Sequence, residues 1–197
     1  MTNRTDNFNR ADSTTALGTP SDSGSNWVAL TGTWGIGTNK GYPVSVSGEG
    51  VAYLESSIAD CDVQVTTPVV SNDCGIQCRV VDASNMIIGW VAASTGWRIY
   101  KLVAGTYTQL GSTASGTPAN NDVLKMNMSG NSLTFYANGV SKVAVSDSAH
   151  NTATKHGLRS YNTTSVTFDD FSITALAASF IAAKPQVISQ SIQASSW

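Results

Sequence analysis

Residues 166–174 read Val-Thr-Phe-Asp-Asp-Phe-Ser-Ile-Thr, and the fold turns on them. The β-branched and aromatic content marks a strand. It arrives late, after a long series of short strand-and-turn units with no credible long helix among them. A sandwich or barrel must dispose of its open edges, and a late strand does so by pairing beside the first one, here near Asp6-Asn-Phe-Asn-Arg10. Phe168 and Phe171 have opposite strand parity, so either both faces of the strand are covered or the Asp169-Asp170 pair sits on a bulge, of which the bulge is preferred.

Upstream of this stretch the chain is punctuated by turn formers. Trp27-Val-Ala-Leu opens a strand that Thr31-Gly32 turns, and Gly37 to Gly41 reads as another turn before Val44 and Val46. Segments 51–55, 62–67, 75–81, 86–92 and 97–103 follow as strands, the last three as an antiparallel meander. Tyr107 to Leu110 continues it, and a Gly, Ser, Thr, Pro and Asn stretch to Asn121 is expected to be a long surface loop. Segments 123–128, 132–136 and 140–145 make three more strands, and Asn138-Gly139 between the last two is the strongest hairpin signal, because both central positions of such a turn favour positive φ. About a dozen strands result. His150 and His156 fall in a polar Ser, Asn, Thr and Lys segment read as a solvated loop.

The 197 residues suffice for one domain with a real core and no staples. Eleven Lys and Arg against thirteen Asp and Glu leave a formal charge of -2, with no basic block for phosphates or anionic lipid, so nucleic acid and membrane are not expected partners. Charged residues are only 12%, against roughly 25% in ordinary globular proteins, so the surface must be mostly uncharged polar. The opening Met-Thr-Asn-Arg-Thr-Asp lacks the apolar core of a secretory signal, which leads to the expectation of synthesis in a cytoplasm. Cys61, Cys74 and Cys78 cannot all pair within one chain and read as buried thiols, with Cys74 and Cys78 on the face of Ile76 and Val80, and Cys61 on that of Val63 and Val65. A zinc site would need more His or Cys partners than His150 and His156 supply. From 176 the composition shifts to Ala, Ser, Ile and Gln, with a short helix expected over 175–183 and Pro185 ending it. The division is therefore a domain at 1–175 and an arm at 176–197. Phe180, Ile181, Val187, Ile188, Ile192 and Trp197 are the arm's candidate docking residues on a neighbouring subunit, the competing reading being a strap over its own domain.

Asp6-Asn-Phe-Asn-Arg-Ala-Asp12, Leu17-Gly18, Trp27 and Gly32-Thr-Trp-Gly-Ile36, followed by Arg79-Val-Val-Asp, Trp97-Arg-Ile-Tyr-Lys, Leu133-Thr-Phe-Tyr-Ala-Asn-Gly139 and Phe168-Asp-Asp-Phe171, resemble the concanavalin A-like jelly-roll domains of minor tail and other virion proteins of actinobacterial phages. The resemblance covers residues 5 to about 175 and omits the arm. It implies an all-β, two-sheet antiparallel jelly-roll sandwich and a non-enzymatic structural protein at the virion surface, as head decoration or minor tail protein. Such a protein would aid adhesion to host-surface glycans; contact with other virion proteins through the arm and a homo-oligomer are expected from the low charge and the small-residue composition of residues 176–197. A carbohydrate-binding module and a glycoside hydrolase are the alternatives.

Hydrolysis on this fold needs two carboxylates about 5 to 10 Å apart. Glu49 and Glu55 are the two glutamates, and on one strand they lie ~20 Å apart at ~3.3 Å per residue. No Glu-x-Asp-x-x-Glu run and no Gly-x-Ser-x-Gly elbow is present, so the expectation is no catalysis. Asp169 and Asp170 are the candidate Ca²⁺ ligands, although the ion takes about six to eight oxygens and would need loop carbonyls too. The competing reading has Asp170 capping the bulge or meeting Arg10. For carbohydrate the candidates are Trp90, Trp97, Arg98 and Tyr100, on or near one hairpin. Trp97 shares parity with Ile99, and Arg98 with Tyr100, so Arg98 and Tyr100 are expected to face the solvent-lined concavity. The competing reading places the tryptophans in the core.

Overall fold

In a computed structural model, residues 3–92 and 94–177 are described. Among these residues fifteen strands alternate with turns: β1 (Arg4–Asp6), β2 (Val28–Thr31), β3 (Thr33–Gly37), β4 (Lys40–Ser45), β5 (Glu49–Glu55), β6 (Cys61–Val69), β7 (Cys74–Asp82), β8 (Asn85–Ala92), β9 (Gly96–Val103), β10 (Thr106–Ala114), β11 (Asp122–Ser129), β12 (Ser132–Ala137), β13 (Val140–Ser146), β14 (Lys155–Tyr161) and β15 (Thr167–Ala175). They form two antiparallel sheets. One has the order β13-β12-β11-β6-β15-β4-β3 with β1 beside β15, the other β10-β9-β8-β7-β14-β5-β2. This is the two-sheet, all-β jelly-roll sandwich.

The late strand behaves as its residues require. β15 pairs with β1 at Arg4↔Ile173, Thr5↔Ser172 and Asp6↔Phe171, and on its other edge with β6. The register slips between Asp169 and Ser172, and Asp170 has φ +47°, so a bulge at the Asp pair turns both Phe168 and Phe171 inward. Phe168 meets Trp34 with ring centres 6.1 Å apart, and Phe171 meets Trp27 at 4.9 Å. The opening motif is a brace for this seam. The Asp6 carboxylate accepts from both Arg10 Nη atoms (2.8 and 2.7 Å), from Trp27 Nε1 (2.6 Å) and from the Phe8 amide (2.9 Å). Arg10 thus meets Asp6, not Asp170.

Several expectations are corrected. His156, read as lying in a solvated loop, stands instead in β14, a central strand between β7 and β5, and is fully buried. The strand's inward positions His156, Leu158 and Ser160 are mostly polar, which hides the period of two. Their hydrogen bonds are made inside the fold: His156 to Ile58 O and the Arg79 amide, Ser160 to Thr163 O. β10 extends to Ala114, well into the expected loop. The β3–β4 turn narrows to Thr38-Asn39, both at positive φ. Val80 leaves the face of Cys74 and Cys78, because a bulge at Arg79 (φ +48°) reverses parity. The three cysteines are buried free thiols. β15 ends at Ala175; the helix expected over 175–183 and the arm residues Phe180, Ile181, Val187, Ile188, Ile192 and Trp197 lie, from 178 onward, outside the described residues.

Candidate functional site: the outer face of the seven-stranded sheet

Besides the core between the sheets, a second buried cluster of Val51, Val80, Met86, Ile88 and Leu102 sits on the outer face of the seven-stranded sheet, with Leu30, Tyr53, Trp90 and Tyr100 packed on it half-exposed. An outward sheet face that buries aliphatic side chains must be sheltered by its neighbours. The shelter comes from curvature. Tyr107, on the edge strand β10, donates its hydroxyl to Glu49 Oε2 at 2.8 Å, although β5 stands five strands away in the sheet order. Five steps of ~4.8 Å make ~24 Å on a flat sheet, beyond the reach of two side chains, so the sheet curls about this face and its rims approach one another.

At the centre of the concavity, Arg159 on β14 and Trp90 on β8 are both in register with Gly75 on β7. With no side chain between them, the guanidinium carbon lies 4.0 Å from the indole centre. Tyr161 flanks the same guanidinium at 5.6 Å, while Tyr100 and Tyr107 stand 4.9 and 6.2 Å from Trp90, centre to centre. Beneath the rings is a polar floor. Glu49 takes Arg159 through Nε (2.6 Å) and Nη2 (3.0 Å), and also accepts from Gln77 Nε2 (2.6 Å) and Tyr107. Arg159 Nη1 donates to Asp73 O, and Trp90 Nε1 to Asp73 Oδ1 at 2.8 Å. Partial burial and the adjacent Glu49 carboxylate push the Tyr107 phenol above its ordinary range, keeping it a donor. Gln77 is fully buried, and its Oε1 has no hydrogen-bond partner among the described residues.

Three of the four carbohydrate candidates therefore share one face. Trp90 and Arg98 are a registered cross-strand pair, Tyr100 lies beside them, and Arg98 is held by Thr95 and Thr113. Trp97 does not join them: it is inside the sandwich, with Lys142 Nζ 4.2 Å from its ring. Sequence reasoning missed Tyr107, Tyr161, Arg159, Gln77 and Asp73, and weighed Glu49 for hydrolysis alone. Arg159 and Tyr161 sat in the unrecognised β14, whose pairing with β5 and β7 also brings in Glu49, Gln77 and Asp73, and Tyr107 joins them only through curvature. Glu49 and Glu55 do share β5. Asp169 is engaged by Lys40 Nζ at 2.5 Å and by the Asp170 amide, while Asp170 is exposed, and among the described residues no three His, Cys, Asp or Glu are grouped to hold a metal.

No family model matches the sequence, and no curated protein matches it at a significant level. Solved structures do resemble it. The carbohydrate-binding module CBM66 from Bacillus subtilis superposes with a TM-score of 0.62 at 16% identity over 76% of this chain and 95% of that one. The Bacillus licheniformis GH43 protein BlXynB, as its K247S mutant, gives 0.58 at 15% identity over 88% of this chain but only 39% of its own. The Bacillus licheniformis β-glucanase gives 0.53 at 11% identity over 90% and 99%. At these identities the likeness shows the fold alone: a concanavalin A-like jelly roll.

Proposed function

We propose that this chain binds carbohydrate without cleaving it, through the curled face of the seven-stranded sheet. One observation carries the reading: the half-exposed rings of Trp90 and Tyr100, 4.9 Å apart centre to centre, lie over a floor of fixed polar groups, with the exposed Tyr107 beside them. Apolar rings beside a few convergent polar groups are what a sugar face and its hydroxyls require. The architecture shared with a carbohydrate-binding module supports this reading. Against hydrolysis stands the engagement of Glu49: its ~4 lone-pair positions are met by four donors, and three of these, from Gln77 and Arg159, are held on central strands of the sheet. The test is a glycan array of the full chain beside its Trp90→Ala variant. Binding to a defined glycan that weakens at least about tenfold in the variant, a loss of ~1.4 kcal/mol, supports the reading, and a flat array removes it.

The setting we propose is a particle surface, as a virion decoration or minor tail protein that adheres to host glycans, oligomerises and is anchored by residues 176–197. Its support is the run of motifs resembling phage virion domains and the low charge of the chain. Deleting 176–197 and measuring incorporation into particles tests it: a folded domain that incorporates as before rules out anchoring by this segment.

A further inference from the structure

Gln77 stands on the outward side of its strand and is nevertheless fully buried, with Nε2 bonded to Glu49 Oε1 and Oε1 bonded to nothing among the described residues. A buried acceptor without a donor is costly to hold, and a binding site is one place where that cost is recovered. Beside it, Glu49 Oε2 accepts from Arg159, which is immobilised by its own three-point contact, and from Tyr107. Tyr107 differs from Arg159 in two respects. It is 39% exposed, and it rides on an edge strand whose residues 106–109 are all exposed, paired on one side only. Of the groups bonded to Glu49, Tyr107 is the one whose departure disturbs no packed strand.

Building on the glycan reading, we infer that Tyr107 is a displaceable cover over the sugar site, and that the ligand is a neutral sugar presenting two neighbouring hydroxyl groups. One hydroxyl replaces the phenol as donor to Glu49 Oε2, and the other satisfies Gln77 Oε1. The number of hydrogen bonds then rises by one when the cover moves. The class is neutral because the cationic group of the floor is already matched: Arg159 is paired through two nitrogens with Glu49, so a sugar carboxylate finds no unpaired cation there and would face the Glu49 charge. Arg98, the other cation on this face, is bonded to Thr95 and Thr113 and not to the floor.

A covered site shows an affinity reduced by the fraction of time it is open. The experiment titrates the ¹⁵N-labelled full chain and its Tyr107→Ala variant with the methyl glycosides of glucose, galactose, mannose and xylose, and with glucuronic acid as the charged control. The expected result is that at least one neutral glycoside moves the Trp90 indole and Gln77 side-chain amide resonances, that Tyr107→Ala binds it about fivefold more tightly or better, and that glucuronic acid binds no tighter than the neutral glycosides. Gln77→Met, checked for folding by circular dichroism, loses about tenfold or more in that variant background. Equal or weaker binding by Tyr107→Ala makes its ring a platform and overturns the inference. A Gln77 resonance that stays fixed while Trp90 moves, tighter binding of glucuronic acid, or no response to any glycoside from a chain that scores on the glycan array also overturns it, and leaves the glycan reading standing. A flat array together with silent titrations of both proteins removes both.

Discussion

His156 shows how one side chain couples the fold to pH. Its Nδ1 accepts the Arg79 amide at 3.2 Å and its Nε2 donates to Ile58 O at 2.8 Å, so the neutral ring is held at both ends. Burial, with the Arg79 charge nearby, pushes its pKa down to about 4 from 6.5. Above pH 6.5 the ring is neutral in both folded and unfolded chains and contributes no pH dependence. Between 6.5 and about 4 the unfolded chain takes up a proton that the folded one refuses, so stability falls with pH by up to ~1.4 kcal/mol per unit, ~3 kcal/mol in all. Urea unfolding from pH 7 to 4.5 should show a slope steeper by up to about one proton in the unmutated chain than in His156→Gln; parallel slopes would contradict this assignment. The Arg159–Glu49 pair makes a second residue-scale expectation. With side chains 0% and 10% exposed, removing the cation alone strands a buried carboxylate. Arg159→Met should cost ~3–5 kcal/mol, and adding Glu49→Gln should restore much of it, as read from denaturant midpoints.

Turns and strand interiors respond differently to the same substitution. Asn138 and Gly139 join β12 and β13 with φ of +52° and +75°, and a Cβ on Gly139 would meet nothing within 4 Å. Gly139→Ala therefore bears only the conformational cost, about 1–2 kcal/mol, with the fold retained; a change under a few tenths on thermal unfolding would contradict it. Gly157 is the opposite case. It sits mid-strand in β14, and an added Cβ would collide with the backbone of Ala52 and Tyr53 on β5. Gly157→Ala should abolish cooperative unfolding, because two central strands must part to admit one methyl. Element by element, the sequence was most readable where inward residues were apolar. β6 (Cys61, Val63, Val65) and β11 (Leu124, Met126, Met128) alternate as expected. β14 was missed because two of its three inward residues, His156 and Ser160, are polar and find partners only after folding.

At the scale of the molecule, the two sheets seal all three thiols. Burial pushes Cys61 up to about 12 and Cys74 up to about 11, and Cys78 is raised as well. A thiol reagent at pH 8 should find no fast-reacting group in the native chain and three in denaturant, with labelling that tracks global unfolding; one fast native thiol would show a locally open sandwich. The sequence by itself determined the all-β class, the closing strand and its bulge, most strand positions, and the alternation that sets Arg98 with Tyr100 and apart from Trp97. These follow from contacts near in sequence or from the two-residue period of a strand, both of which one chain displays. The tertiary structure alone decided the site. Glu49, Gln77 and Arg159 meet through the long-range pairing of β14 with β5 and β7, and Tyr107 joins them only because the sheet curls; curvature is a sum of small twists and bulges over many strands that leaves no local mark in the order of residues.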